Sequence, residues 1–214
     1  MSDFFPRRRF LAATLGACAS PAWAAAGAGR VPVVTILGDS LTAGYGLDRA
    51  QAIPAQLQAE LLRLGVKVTV RAAGVSGDTS ADGLARVDFS VKPDTDLCLV
   101  MLGGNDLLQG VDPATMRANL LAILKDLKKR GVPAMLVGLQ APPEIGAGYA
   151  RDFDAVVPTL ARAEGVPAYA DLLGWVRQDR ALLQGDGVHP NAQGVKIVVA
   201  KLAPAVAAAL RSRR

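Results

Sequence analysis

The sequence predicts an α/β fold in which a central parallel sheet carries helices on both faces. Two observations predict it. From Val31 onward, strand-like apolar runs alternate with segments of helical periodicity about a dozen residues long, the pattern of parallel strands joined by crossover helices. The run Asp96–Leu102 is apolar after its first residue, as a central strand covered on both faces requires. A third feature, the length of 214 residues with no internal repeat or linker, fits one domain able to bury a full core.

The elements follow in order. Val31–Leu37 is a short β-rich run ending at Gly38. Pro54–Leu64 places apolar residues at helical spacing and stops at Gly65. Lys67–Ala72 is strand-like, and Asp96–Leu102 is the central strand. Pro113–Arg130 reads as a helix with Asp112 as N-cap and Gly131 beyond its end. Pro133–Leu139 is a further apolar strand, Tyr149–Glu164 a helix ending at Gly165, Val166–Ala170 a short strand, and Asn191–Leu210 a closing helix. Ligands of open parallel sheets bind beyond the carboxyl ends of the strands. Three segments follow such ends: Gly38-Asp39-Ser40, Gly74–Thr79 and Gly103–Asp106. The fold therefore delivers all three to one rim.

Composition narrows the class. Hydrophobic residues make up 51% of the chain and charged residues only 20%, which is globular rather than disordered. The formal net charge is +5, part of it in Arg7, Arg8 and Arg9 against Asp3; without residues 1–24 there remain 21 cations and 18 anions, a net of +3. A charge that small does not by itself decide for or against a nucleic-acid surface. The cations are dispersed except for Lys125, Lys128, Lys129 and Arg130, which read as the solvated face of a helix, and no nucleic-acid partner is expected.

Residues 1–24 read as an export signal. Arg7-Arg8-Arg9 precedes the apolar stretch Phe10–Ala19, then the breaker Ser20-Pro21 and the small-x-small site Ala22-Trp23-Ala24. The apolar stretch is too short to span a bilayer. Twin arginines suggest the route for folded cargo, while the flanks also fit general secretion. Either route implies an exported protein, periplasmic or secreted, in which residues 25–30 form a flexible leader and residues 31–214 the folded domain. Leu15-Gly16-Ala17-Cys18 offers a competing lipoprotein box that would leave Cys18 acylated; without it, no stable membrane insertion is expected. After cleavage at Ala24, Cys98 is the only cysteine left, so the fold relies on its core rather than a disulfide. Its place in an apolar run reads as a buried structural thiol.

The chemistry starts from His189, the only histidine in the chain. Serine hydrolysis near neutral pH needs a base such as imidazole. Asp186, three residues earlier on a loop-like stretch, can fold back to orient that ring. Ser40 follows a strand directly, which exposes its hydroxyl and turns its backbone N–H toward the same space. Ser76 is the rival nucleophile, but Gly74-Val75-Ser76-Gly77-Asp78 does not complete a G-x-S-x-G elbow. The amide of Asn105 suits a developing oxyanion, and Gly77 can add a backbone N–H. Asp39, Asp78 and Asp106 read as acceptors of backbone N–H groups in tight turns. Trp175 and Tyr45 are candidates for the groove or for the core. A metallohydrolase is disfavoured by the single histidine and the absence of an H-E-x-x-H motif.

These segments carry a resemblance. Gly38-Asp39-Ser40-Leu41 with Thr42–Leu47 resembles the nucleophile block of the SGNH (GDSL) hydrolase family. Gly74–Ser80 is similar to its glycine block, Gly103-Gly104-Asn105-Asp106 to its asparagine block, and Asp186–Asn191 to its Asp/His block. The four keep the family's order and span nearly all of residues 31–214. The likeness is greatest to the branch of acyl-CoA thioesterase I, lysophospholipase L and arylesterase. It implies a three-layer α/β/α flavodoxin-like sandwich, with Ser40 as nucleophile, His189 as base and Asp186 as its orienter. It further implies an oxyanion hole of Ser40 N–H, Gly77 N–H and the Asn105 side chain, with no metal and no organic cofactor. The expected substrate is a small-molecule or lipid acyl ester or thioester. A carbohydrate O-acetylesterase on the same scaffold is the alternative. One departure follows the asparagine block, where the branch often shows a small residue and then an arginine at the places held here by Leu107 and Gln109.

Overall fold

Strands form where the sequence predicts them, and the long helices α2, α5, α6 and α7 each bury the face that their sequence leaves apolar. The computed structural model describes Met1 and residues 30–212. The expected signal, its Cys18 alternative and the leader lie outside the described residues, apart from Met1 and Arg30. Five strands, β1 (Val33–Gly38), β2 (Thr69–Gly74), β3 (Leu97–Met101), β4 (Ala134–Val137) and β5 (Ala168–Tyr169), make one sheet in the order β2-β1-β3-β4-β5. Every pairing is parallel. This is the flavodoxin-like order, whose topological switch point lies between β1 and β3.

The helices are α1 (Ser40–Ala43), α2 (Ile53–Arg63), α3 (Ser80–Ser90), α4 (Gly104–Gln109), α5 (Pro113–Lys129), α6 (Ala147–Glu164) and α7 (Ala192–Arg211). Because strand side chains alternate between faces, the sheet feeds two cores. Val34, Ile36, Leu97, Leu99, Met101, Met135 and Val137 pack on one side with Leu57 and Leu61 of α2 and with Val198 and Leu202 of α7. Leu37, Cys98, Val100 and Leu136 pack on the other with Val87 of α3, Leu120 and Ile123 of α5 and Phe153 of α6. The three-layer α/β/α sandwich is therefore the observed fold. Helix α7 is long and apolar enough to cross a membrane by composition, but half of it is buried in this core.

Local signals explain the boundaries. Asp112 caps α5 by accepting from the Ala114 N–H at 2.8 Å, and Asn191 caps α7 by accepting from Gln193 and Gly194. Cys98 is fully buried, and desolvation pushes its thiol up to about 12.

Three helices escape the periodicity reading, the four-residue α1 among them. The buried positions of α3 are Ser80, Gly83 and Val87, spaced for a helix but mostly not apolar. Gly83 is small because a Cβ there would stand 2.2 Å from Leu102 Cδ1. The signal that finds α3 is its capping box, Thr79 with Asp82. Helix α4 has only six residues and carries Asn105 on its first turn.

Candidate active site

Ser40 stands where β1 turns into α1. Asp39 is the N-cap of α1, its Oδ1 accepting from the Leu41 N–H at 3.0 Å. The turn is tight enough to need glycine on both sides. A Cβ on Gly38 would lie 2.2 Å from Thr42 Oγ1, and one on Gly74 would lie 2.5 Å from Ala43 N. Ser40 is thereby held at the carboxyl end of β1, beside the switch point.

The segment after α6 brings the imidazole to it. Leu183 and Pro190 form an antiparallel bridge, and Gln184 N–H donates to His189 O at 2.7 Å, closing a short loop. Within it Asp186 divides its two oxygens. Oδ1 accepts from the backbone N–H groups of Val188 and His189 at 2.9 and 3.0 Å, with Gly187 at φ +71° making the turn. Oδ2 stands 2.7 Å from His189 Nδ1. These hydrogen bonds to the charged form hold the Asp186 carboxyl down at about 2. An ionised carboxylate is acceptor-only, so Nδ1 carries the proton and Nε2 keeps its lone pair. Nε2 lies 2.8 Å from Ser40 Oγ, in position to accept from the hydroxyl. The ring also lies against Tyr45, centroids 4.8 Å apart and planes tilted by 36°.

Asn105 lines the same cleft as Ser40 and His189. One of its Nδ2 hydrogens is used to donate to Asp78 O at 2.9 Å, which leaves the second available. Gly77 does not line the cleft. It lies in the exposed adjoining turn, closed by Asp78 N–H donating to Val75 O at 3.2 Å, with φ +92°. The Asn105–Asp78 bond ties that turn to the cleft. Ser76 is exposed on the same turn, and the imidazole is bonded to Ser40 instead.

The cleft has a volume of about 450 Å³. One end is polar, with Asp39, Ser40, Asn105 and His189. Leu107, Leu108, Leu139, Pro142, Ile145 and Leu173 supply most of the remaining wall, together with the polar Gln140 and Arg177. Leu107, at the departure noted in the sequence, belongs to this apolar wall, while Gln109 lies outside it.

The neighbouring side chains refine the sequence reading. Asp39 and Asp106 accept backbone N–H groups as expected, Asp106 taking Ser80 N–H at 2.7 Å and Ser80 Oγ–H at 2.5 Å. Asp78 differs: its carboxylate accepts from Arg86 Nε at 2.5 Å, because α3 aims a guanidinium at it. Burial pushes the Asp39 carboxyl up to about 6, against the opposing pull of the Leu41 N–H. Tyr45 is 54% exposed at the site's edge, so it is not a core residue. Trp175 neither fills the core nor lines the cleft; it is 59% exposed beneath Lys201 Nζ, 4.1 Å from the ring centroid.

Gln184 is a site residue that sequence reasoning missed. Its Nε2 donates to Tyr45 O at 2.8 Å and Pro190 O at 3.0 Å, pinning the histidine loop to the loop after α1. Nothing local in the sequence marks it, because both acceptors are backbone oxygens set by the approach of two loops. Among the described residues, no group of three or more His, Cys, Asp or Glu side chains is arranged to hold a metal ion.

Comparison with known proteins gives the family. Residues 36–197 match the GDSL-like Lipase/Acylhydrolase family. The chain is 36% identical to Esterase TesA of Pseudomonas aeruginosa over 159 residues, 72% of this chain and 78% of that protein. It is 36% identical to Thioesterase 1/protease 1/lysophospholipase L1 of Escherichia coli K12 over 165 residues, 77% of this chain and 78% of that protein. Among solved structures, AlinE4, an SGNH-hydrolase family esterase, is 44% identical with a TM-score of 0.71, covering 85% of this chain and 98% of that one. With the four sequence blocks, the sandwich fold and these matches in hand, the chain belongs to the GDSL-like lipase/acylhydrolase (SGNH) family and is a carboxylic ester hydrolase.

Proposed function

We propose that Ser40, His189 and Asp186 hydrolyse acyl esters and thioesters through an acyl-enzyme on Ser40. The observation that carries this is the continuous chain Asp186 Oδ2, His189 Nδ1, His189 Nε2, Ser40 Oγ, with contacts of 2.7 and 2.8 Å. His189 takes the Ser40 proton as Oγ attacks the carbonyl carbon, and the carboxylate of Asp186 holds the resulting imidazolium. The negative charge on the former carbonyl oxygen is met by Ser40 N–H, Gly77 N–H and Asn105 Nδ2–H. The imidazolium then protonates the leaving alcohol or thiol. A water molecule, deprotonated by the same nitrogen, attacks the acyl-enzyme and frees the acid. No step needs a metal or an organic cofactor.

The apolar wall supports an acyl chain as the group held beside Ser40, and the names of the relatives support aryl-ester, lysophospholipid and acyl-thioester substrates. The carbohydrate O-acetylesterase alternative is not favoured, since the relatives are named as an esterase, a thioesterase/lysophospholipase and an arylesterase. Residues 1–24 are read as an export signal, residues 25–30 as a leader and residues 31–214 as the hydrolase domain, on the strength of Arg7–Arg9, the apolar stretch after them and Ala22-Trp23-Ala24. N-terminal sequencing of the protein recovered from its exported fraction checks this, with Ala25 expected first; a chain beginning at an acylated Cys18 overturns it.

A fluorophosphonate should label wild-type protein on Ser40 and leave Ser40→Ala unlabelled. A panel of p-nitrophenyl acetate, octanoate and palmitate with an acetylated sugar should favour the medium or long acyl chains. Labelling on Ser76, or preference for the acetylated sugar, would sink the reading.

A further inference from the structure

The geometry points to Arg86, on α3, as the residue that positions the oxyanion-binding groups, although it does not line the cleft. The inference rests on the proposed roles of Ser40, Gly77 and Asn105. Its basis is where the guanidinium sends its protons. Nε donates to Asp78 Oδ2 at 2.5 Å, Nη1 to Ala73 O at 3.0 Å and to Ser90 Oγ at 2.9 Å, and Nη2 to Gly38 O at 2.8 Å. Three of those acceptors belong to segments that supply oxyanion donors. Gly38 ends β1, two residues before Ser40. Ala73 lies at the end of β2, where the turn bearing Gly77 begins. Asp78 closes that turn and, through its own backbone oxygen, receives the Asn105 side chain. Gly38 O also accepts Val75 N–H at 3.1 Å, which joins the first two segments directly.

The ion pair is mostly removed from water, with the Arg86 and Asp78 side chains 18% and 12% exposed. A planar fork can serve four acceptors in fixed directions at once, whereas an ammonium is a point charge with three rotatable donors. The chain thus uses one side chain to fix two loops against each other directly, the end of β1 and the turn after β2, and a third, that of Asn105, through the Asp78 backbone oxygen. Oxyanion donors act on the transition state rather than on the bound ester, so loosening them should fall on kcat and spare KM.

The test compares Arg86→Lys, Arg86→Met and Asp78→Asn in the full chain, well below each variant's unfolding midpoint. Active sites are counted by fluorophosphonate titration. Asp78→Asn keeps the backbone oxygen that Asn105 uses and removes only the charged contact, so it serves where Arg86→Met does not fold. The proposal expects kcat per titrated site to fall about 10-fold or more in Arg86→Met, with KM within about twofold, and less in Asp78→Asn. It also expects the Arg86→Met and Asn105→Ala losses to combine to less than their product, because both act on one charge. Wild-type kcat per site with only a lowered midpoint, or losses that multiply fully, would overturn it. Should Asn105→Ala alone leave kcat unchanged, the oxyanion reading itself fails, whatever Arg86 does.

Discussion

His189 Nε2 lies 2.8 Å from Ser40 Oγ across a sequence separation of 149 residues, and the opposite ring nitrogen is held by Asp186. The pair joins the carboxyl end of the first strand to the last loop before the closing helix. If these side chains act as a unit, removing one removes the whole device. Ser40→Ala and His189→Ala should each lower kcat by about 10⁴-fold or more, and the double variant should be no slower than the worse single one. Steady-state kinetics on p-nitrophenyl butyrate measures this, and a double variant slower by the product of the two would speak against a shared step.

Asn105 presents the second hydrogen of an amide whose first is already committed to Asp78 O. Asn105→Ala should reduce kcat about 10²–10³-fold, or about 2.7–4 kcal/mol of barrier, with KM little changed. Asn105→Asp should be slower still above the carboxyl's own titration range, since a carboxylate would repel the forming oxyanion. A change confined to KM would assign the residue to substrate binding instead.

Asp186 makes the fold and the site respond to acid. Its carboxyl is held at about 2 in the folded protein, chiefly by the Val188 and His189 backbone N–H groups and then by the imidazole. A depressed acid contributes stability that is fully present above the unfolded value of about 4 and is lost as pH falls toward about 2. The side chain is 35% exposed, so the effect on global stability should be small. Asp186→Asn should show a shallower loss of unfolding midpoint than wild type between about pH 4 and pH 2. The same variant should turn over about 10²–10⁴-fold more slowly, because an amide no longer fixes the tautomer.

Asp39 runs the other way. Burial raises its carboxyl from 3.8 to about 6. A raised acid binds its proton more tightly when folded, so its stabilising contribution is full below the unfolded value and is lost as pH rises through about 6. Asp39→Asn keeps a side-chain oxygen for the Leu41 N–H and removes the buried charge. Relative to wild type, it should gain about 3 kcal/mol at pH 8 and much less at pH 4, a difference that denaturant unfolding at the two pH values would reveal. Equal shifts at both would show that the carboxyl is not the cause.

Much of this was legible before any coordinates. The alternation of apolar runs and helical segments predicts the parallel sheet with two covered faces, and the strand-end rule predicts that the segments holding Ser40, Gly77 and Asn105 share a rim. Asp112 and Asn191 declare themselves as caps by residue type and position. Helix α3 was hidden because its buried face is Ser80, Gly83 and Val87, where small side chains admit Leu102 and a buried hydrogen-bond network rather than mark an apolar stripe. Trp175 and Tyr45 could not be placed from sequence, since an aromatic ring reads alike in a core, in a groove or under a lysine.

Fold class, the order of the strand-end segments, one imidazole, one carboxylate three residues before it and the serine after the first strand can all be read along the linear chain. These are properties of period, spacing and residue type along the chain. Tertiary structure alone decided that the imidazole meets Ser40 and not Ser76, that Gly77 stands in the turn beside the cleft, that the Asp78 carboxylate belongs to Arg86, and that Gln184 ties the two loops together. Those outcomes depend on how loops far apart in the chain approach one another in three dimensions. Hydrogen bonds of under 3 Å select among such approaches by direction as well as distance, and no local pattern in a sequence encodes that direction.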